Sequence, residues 1–232
     1  VGSGAPGGDG AGGLARALVF GTAWGWGWLI QVAAAAAGVL AFSAAQRSPK
    51  RGWLLAAVIA IVLAITPALS GHAVAVNRLP ALAVAADWTH MLAVSAWLGT
   101  LVFVIGVGVP EAIRGDATTA GRAIGDMVRV FSPAALVFAG LAVGTGVVSA
   151  VFQLGAVSDL WTSEYGNTLL IKIGVVLLVA AAGAYNWRRV KPRLSEPADA
   201  SRLRTSGAIE LAAAAIVLLI TAILVATPTP TP

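Results

Sequence analysis

Two histidines are the whole imidazole complement of this 232-residue chain, which also has two methionines and no cysteine. Without cysteine there is no disulfide, thiolate ligand or cysteine nucleophile, so any soft-metal ligand must come from histidine or methionine. His72 lies in Pro67-Ala68-Leu69-Ser70-Gly71-His72-Ala73, and His90 lies in Asp87-Trp88-Thr89-His90-Met91. Imidazole joined by a thioether suits Cu(I) and, less selectively, Cu(II), which makes His72, His90 and Met91 the candidate metal ligands. On a helix Asp87, His90, Val94 and Trp97 share one face, so the Asp87 carboxylate can orient the His90 ring and raise its basicity. Trp97 then lines or closes the space beneath the ring. The same two histidines also suit a b-type haem held between two helices, an electron-transfer alternative.

Other polar residues fall in or beside apolar stretches: Lys172, Asn186 and Glu210. Intramembrane placement makes function the default question for such residues, but Lys172 and Glu210 lie near the starts of their segments and can snorkel to an interface. A structural role, holding helices in register, is the expectation for these residues. Asp159, Glu164 and Tyr165 are expected in an acidic connection. Phosphate loops, HExxH, G-x-S-x-G and facing carboxylate pairs are absent, so the sequence gives no indication of catalysis.

These residues are positioned by unusually apolar elements. Apolar residues make up 58% of the chain and charged residues 11%, a balance that calls for a bilayer as solvent. About 20 apolar residues cross the hydrocarbon core as a helix, which predicts an all-α polytopic bundle of about six spans at 18–45, 52–69, 84–108, 133–154, 167–187 and 208–226. Ser132 followed by Pro133 reads as a cap and first helical position. Gly21/Gly25 and Gly140/Gly144 read as small-residue pairs for close helix packing.

Twelve of the fifteen basic residues lie in alternate connections: Arg47, Lys50 and Arg51; Arg114, Arg122 and Arg129; Arg188, Arg189, Lys191, Arg193, Arg202 and Arg204. That side is expected to be cytoplasmic, placing both termini and both histidines outside. The net charge of +5 follows from these topological clusters and does not point to nucleic acid. Residues 1–13 read as a flexible Gly-rich leader, 14–227 as the membrane domain and 228–232 as a Thr/Pro tail. The start at Val1 suggests a processed, trimmed or excised N-terminus.

Several stretches together resemble the copper resistance D (CopD) family of bacterial inner-membrane proteins. They are Ser70-Gly71-His72-Ala73, Asp87-Trp88-Thr89-His90 leading to Trp97-Leu98-Gly99, Phe131-Ser132-Pro133, and Gly144-Thr145-Gly146. Tyr165-Gly166-Asn167-Thr168-Leu169-Leu170-Ile171-Lys172 followed by Asn186 and Pro192 completes the set, and the likeness spans roughly 66–227. The resemblance implies copper transport or delivery across the bacterial cytoplasmic membrane, with His72 and His90 among the copper ligands. It also implies work beside, or fusion to, a CopC-like periplasmic copper-binding domain, and a family pattern of about eight helices against the six read here. The remaining alternative is a metal-free assembly or scaffold subunit of a membrane complex.

Overall fold

The computed structural model describes residues 11–71, 73, 76–115, 117–185 and 197–230. Among the described residues there are helices and turns but no strand. Six helical stretches among the described residues are long and apolar enough to cross a membrane: Gly25–Ala45, Pro49–Leu69, Pro80–Arg114, Ala120–Gln153, Glu164–Ala184 and Gly207–Ala226. Their outward faces carry large apolar side chains such as Leu40 and Leu178, each 70% exposed, a surface suited to lipid rather than water. The chain is an all-α polytopic membrane bundle, as the apolar runs predict. It divides into two compact units, Val1–Trp88 and Thr89–Pro232.

The first unit contains α1 (Ala11–Gly21), α2 (Ala23–Ala45), α3 (Pro49–Ser70) and the start of α4 (Pro80–Phe103). The expected span at 18–45 is in fact two helices, because Thr22 leaves the helical region with φ −122° and ψ 150°. Its side-chain oxygen accepts from the Gly25 amide at 3.0 Å, a cap that starts α2, while its hydroxyl donates to the Leu18 carbonyl at 2.6 Å. Gly25 is needed there, since a Cβ would run into the Leu18 and Val19 carbonyls. The α2–α3 pair closes through small residues and rings. Gly52 lets α3 approach the Ala45 backbone, and Phe42 meets Trp53 edge-on at 5.4 Å. Pro67 lacks the amide that would serve the Leu63 carbonyl, and the Thr66 hydroxyl donates to that carbonyl instead at 2.8 Å.

The second unit holds the rest of α4, a π-helical segment Val104–Gly108, α5 (Val109–Arg114), α6 (Ala117–Gln153), α7 (Asp159–Thr162), α8 (Glu164–Tyr185) and α9 (Pro197–Ala226). The π segment ends two residues before Pro110, whose ring crowds the preceding turn and cannot supply the amide a regular helix needs there. Leu101, Val104, Ile105 and Val109 from this region bury against Ile124 and Val128 of α6, with Trp97, Ala112, Phe131 and Leu211 around them. The sulfur of Met127 lies over Gly108, where a Cβ would stand only 2.6 Å from it.

α6 begins well before the position expected from Ser132-Pro133. Pro133 lies inside the helix, and Ser132 donates to the Val128 carbonyl at 2.6 Å instead of capping an N-terminus. Arg122 and Arg129, expected in a connection, are exposed on its first turns, with Arg129 3.6 Å from Asp126. Gly140 and Gly144 have no neighbour within 4 Å of a built Cβ among the described residues, so this pair is not a close-packing seam there. At the other end of α6, Tyr165, Leu169 and Leu224 form a second buried cluster with Ala150, Leu154 and Leu160 around it. Tyr165 and Glu164 are therefore not loop residues: they open α8, where Ser163 caps by accepting from the Gly166 amide at 2.9 Å.

Candidate functional site

α4 is launched by an unusual entry. Leu79 takes φ 53°, a left-handed conformation costly for a side chain of its size, and directly precedes Pro80 at the helix start. The Leu79 carbonyl then accepts from the amides of Leu82 at 2.9 Å and Ala83 at 3.1 Å, so the first turn is closed at once. Further along, the Trp88 indole N–H donates to the Ile61 carbonyl at 3.1 Å and ties α4 to α3 within the first unit. Asp87 and His90 follow on one side of α4, three positions apart and both half-buried. Met91 is also half-buried, but neighbouring helical positions diverge by about 100°, so its thioether leaves the helix in a different sector from the His90 ring.

His90 is anchored to α6, 52 residues away in sequence. Its Nδ1 is 2.8 Å from the Ala142 carbonyl oxygen and 3.3 Å from the Thr145 hydroxyl oxygen. A carbonyl only accepts, so Nδ1 bears the proton and donates to Ala142. In the neutral ring the lone pair then resides on Nε2, the nitrogen able to bind a metal ion. The ring passes over Gly146, where a Cβ would stand 3.4 Å from Cε1 and 3.6 Å from Nδ1. Thus His90 and the Thr145-Gly146 pair, distant in sequence, meet at one imidazole.

His72 and Asn186 lie outside the described residues. Trp97, two turns beyond His90, packs on the cluster around Val109 and Ile124 and so forms part of the apolar floor on that face. Lys172 is half-buried on α8, and Glu210, only 9% exposed, is buried on α9. Among the described residues no group of three or more His, Cys, Asp or Glu converges on a common point. The sequence reading assigned no role to Thr145, Gly146 or the Ala142 carbonyl. Their signal was a hydroxyl flanked by two glycines in an otherwise apolar helix. Nor did it pair Tyr165 with Gln153, whose side-chain oxygen accepts the phenol proton.

Comparison with known proteins bears on the same helices. Residues 125–224 match the family described as Copper resistance protein D, a stretch that includes Ala142, Thr145, Gly146 and Tyr165. The chain is also similar to the copper transport protein CutJ of Bacillus subtilis (strain 168), with 27% identity over 179 residues. That alignment covers 75% of this chain and 32% of CutJ, so the chain spans about a third of that relative's length. No solved structure matches the chain.

Proposed function

This chain belongs to the copper resistance protein D family through residues 125–224, and from that premise we propose that it takes copper at the outer end of α4 and passes it through or along the membrane. Copper is the cargo. His90 offers Nε2 to the ion, and His72, in the connection that precedes α4, supplies the second imidazole. Asp87 supports His90 from the preceding turn, and Met91 is the nearest thioether to it in the chain. The basic connections lie on the cytoplasmic side, both termini lie outside, and the membrane is the bacterial cytoplasmic membrane. A CopC-like periplasmic copper-binding domain or protein hands over the ion.

The observation that supports this reading best is the hydrogen bond from His90 Nδ1 to the Ala142 carbonyl at 2.8 Å. A second-helix carbonyl on one ring nitrogen is the usual way a metal-binding histidine is oriented, with the other nitrogen facing its ion. The family-matched stretch supplies that carbonyl, so the match and the histidine meet at one place.

Copper titration of the purified full chain in nanodiscs, with Cu(I) and Cu(II) in separate experiments, tests the proposal. Wild type is expected to bind one ion per chain, and His72→Ala and His90→Ala are each expected to lose at least about tenfold in affinity. Unchanged stoichiometry and affinity in both variants would overturn it.

A further inference from the structure

The contact between α4 and α6 contains more than one hydrogen bond, and its second partner has a direction of its own. Thr145 Oγ1 lies 2.6 Å from the Leu141 carbonyl, one helical turn back, and 3.3 Å from the Ala142 carbonyl. A hydroxyl has one proton, and the shorter contact takes it: Thr145 donates to Leu141. What it turns toward His90 Nδ1, at 3.3 Å, is therefore a lone pair. Nδ1 faces two acceptors, the Ala142 carbonyl at 2.8 Å and the Thr145 oxygen, and both favour a proton on that nitrogen. The opposite tautomer would set the Nδ1 lone pair against the Ala142 carbonyl, and Thr145 could relieve this only by giving up its 2.6 Å bond to Leu141 for a 3.3 Å one to Nδ1.

Space is matched as well as charge. Gly146 lies under the ring, and a methyl there would stand 3.4 Å from Cε1, the tight end of ordinary contact. A branched side chain there would displace the ring from both acceptors. Gly144, on the other side of Thr145, has no neighbour within 4 Å of a built Cβ, so the need for a missing side chain is confined to position 146.

We propose that Thr145 and Gly146 of α6 are positioning residues for His90: together they fix its neutral tautomer with the proton on Nδ1 and so dedicate Nε2 to the ion. This rests on the reading of His90 as a copper ligand, and it deepens that reading by giving α6 a share in the site. It has a further consequence. An ion on Nε2 withdraws electron density from the ring, makes Nδ1–H a stronger donor and tightens the α4–α6 hydrogen bond, so capture of the ion is coupled to the hold of one helix on another.

The test uses the full chain, labelled with nitrogen-15 in its imidazoles and embedded in nanodiscs, with His72→Ala as background to isolate the His90 signals. Nitrogen shifts are expected to show the proton on Nδ1. Thr145→Val, which keeps the shape and removes the hydroxyl, is expected to populate the other tautomer measurably and to weaken Cu(I) binding, measured with His72 intact, by about tenfold. Thr145→Ser is expected to restore both. Gly146→Val is expected to shift the His90 resonances strongly, and Gly144→Ala to leave them in place. Ser149, one turn beyond Thr145, has a buried hydroxyl without a hydrogen-bond partner, so Ser149→Ala serves as the control that should not alter the tautomer.

A proton on Nε2 in the wild type, or a Thr145→Val chain with both tautomer and affinity unchanged, overturns the proposal. If the tautomer responds as expected but no variant or wild type binds copper, the copper reading fails while the positioning role stands. If His90→Ala abolishes binding and Thr145→Val changes neither readout, the copper reading stands and the positioning role fails.

Discussion

His90 and Tyr165 each bond to α6 from outside it, and they use it differently. Tyr165 enters the second unit almost completely buried, and its phenol donates to Gln153 inside a shell of Leu169, Leu224, Ala150, Leu154 and Leu160. His90 meets α6 at Ala142 and Thr145 through Nδ1 while only half-buried. The phenol has a single polar atom, and the scaffold uses it to join the start of α8 to the end of α6. The imidazole has two, and the scaffold uses one to define the state of the other. A phenol sealed among apolar neighbours maintains shape, whereas a half-buried imidazole held through Nδ1 has a second nitrogen with a chemistry of its own.

That contrast predicts opposite outcomes for equivalent truncations. The largest effect is expected for His90→Ala, with copper affinity down by about 100-fold and the thermal midpoint changed little, as read by titration and by unfolding in the same detergent. Comparable loss of stability with unchanged affinity would reverse the assignment of the two regions. Next comes Gly166→Ala, where the added methyl would strike the backbone of Asp159 and Leu160 and is expected to cost about 1–3 kcal/mol of stability without altering copper binding. Tyr165→Phe should follow at about 1–2 kcal/mol, since it leaves the Gln153 oxygen without its phenol donor, again with copper affinity intact. The smallest change belongs to Gly144→Ala, which faces open space on a helix and is expected to be neutral or to stabilise by up to about 1 kcal/mol. A large loss there would mean that α6 has a close neighbour at Gly144 after all.

Much of the architecture was legible from the residue pattern because the bilayer sets a simple length requirement, and six apolar runs met it. The errors are local and share a cause. Ser132-Pro133 looks like a helix start by the habits of water-soluble proteins, but in a membrane helix a proline is tolerated internally, and the neighbouring serine turns back to the preceding turn. Thr22 went unread as a cap because the tryptophans and glycines around it kept the run apolar. At the site, the Asp87–His90 spacing was visible since it is helical and local. The Ala142 carbonyl was not, because a backbone oxygen is chemically anonymous in sequence and lies 52 positions from the ring it holds. Thr145 and Gly146 were visible as residues but not as partners, since only folding reveals which helix they touch.

The uninterrupted course of α6 has a mechanical consequence. At 1.5 Å per residue its 37 residues extend for about 55 Å, roughly 25 Å more than the hydrocarbon thickness of a bilayer. With its last turns bonded to Tyr165 and its middle to His90, the surplus emerges at the other end, on the turns that bear Arg122, Asp126 and Arg129. Pro133, where a rung of the ladder is missing, lies close to the point of emergence. Ile124 and Val128 are buried there against Leu101, Val104, Ile105 and Val109, so this end of α6 is braced by the end of α4 and by α5, and a push on it is shared with them.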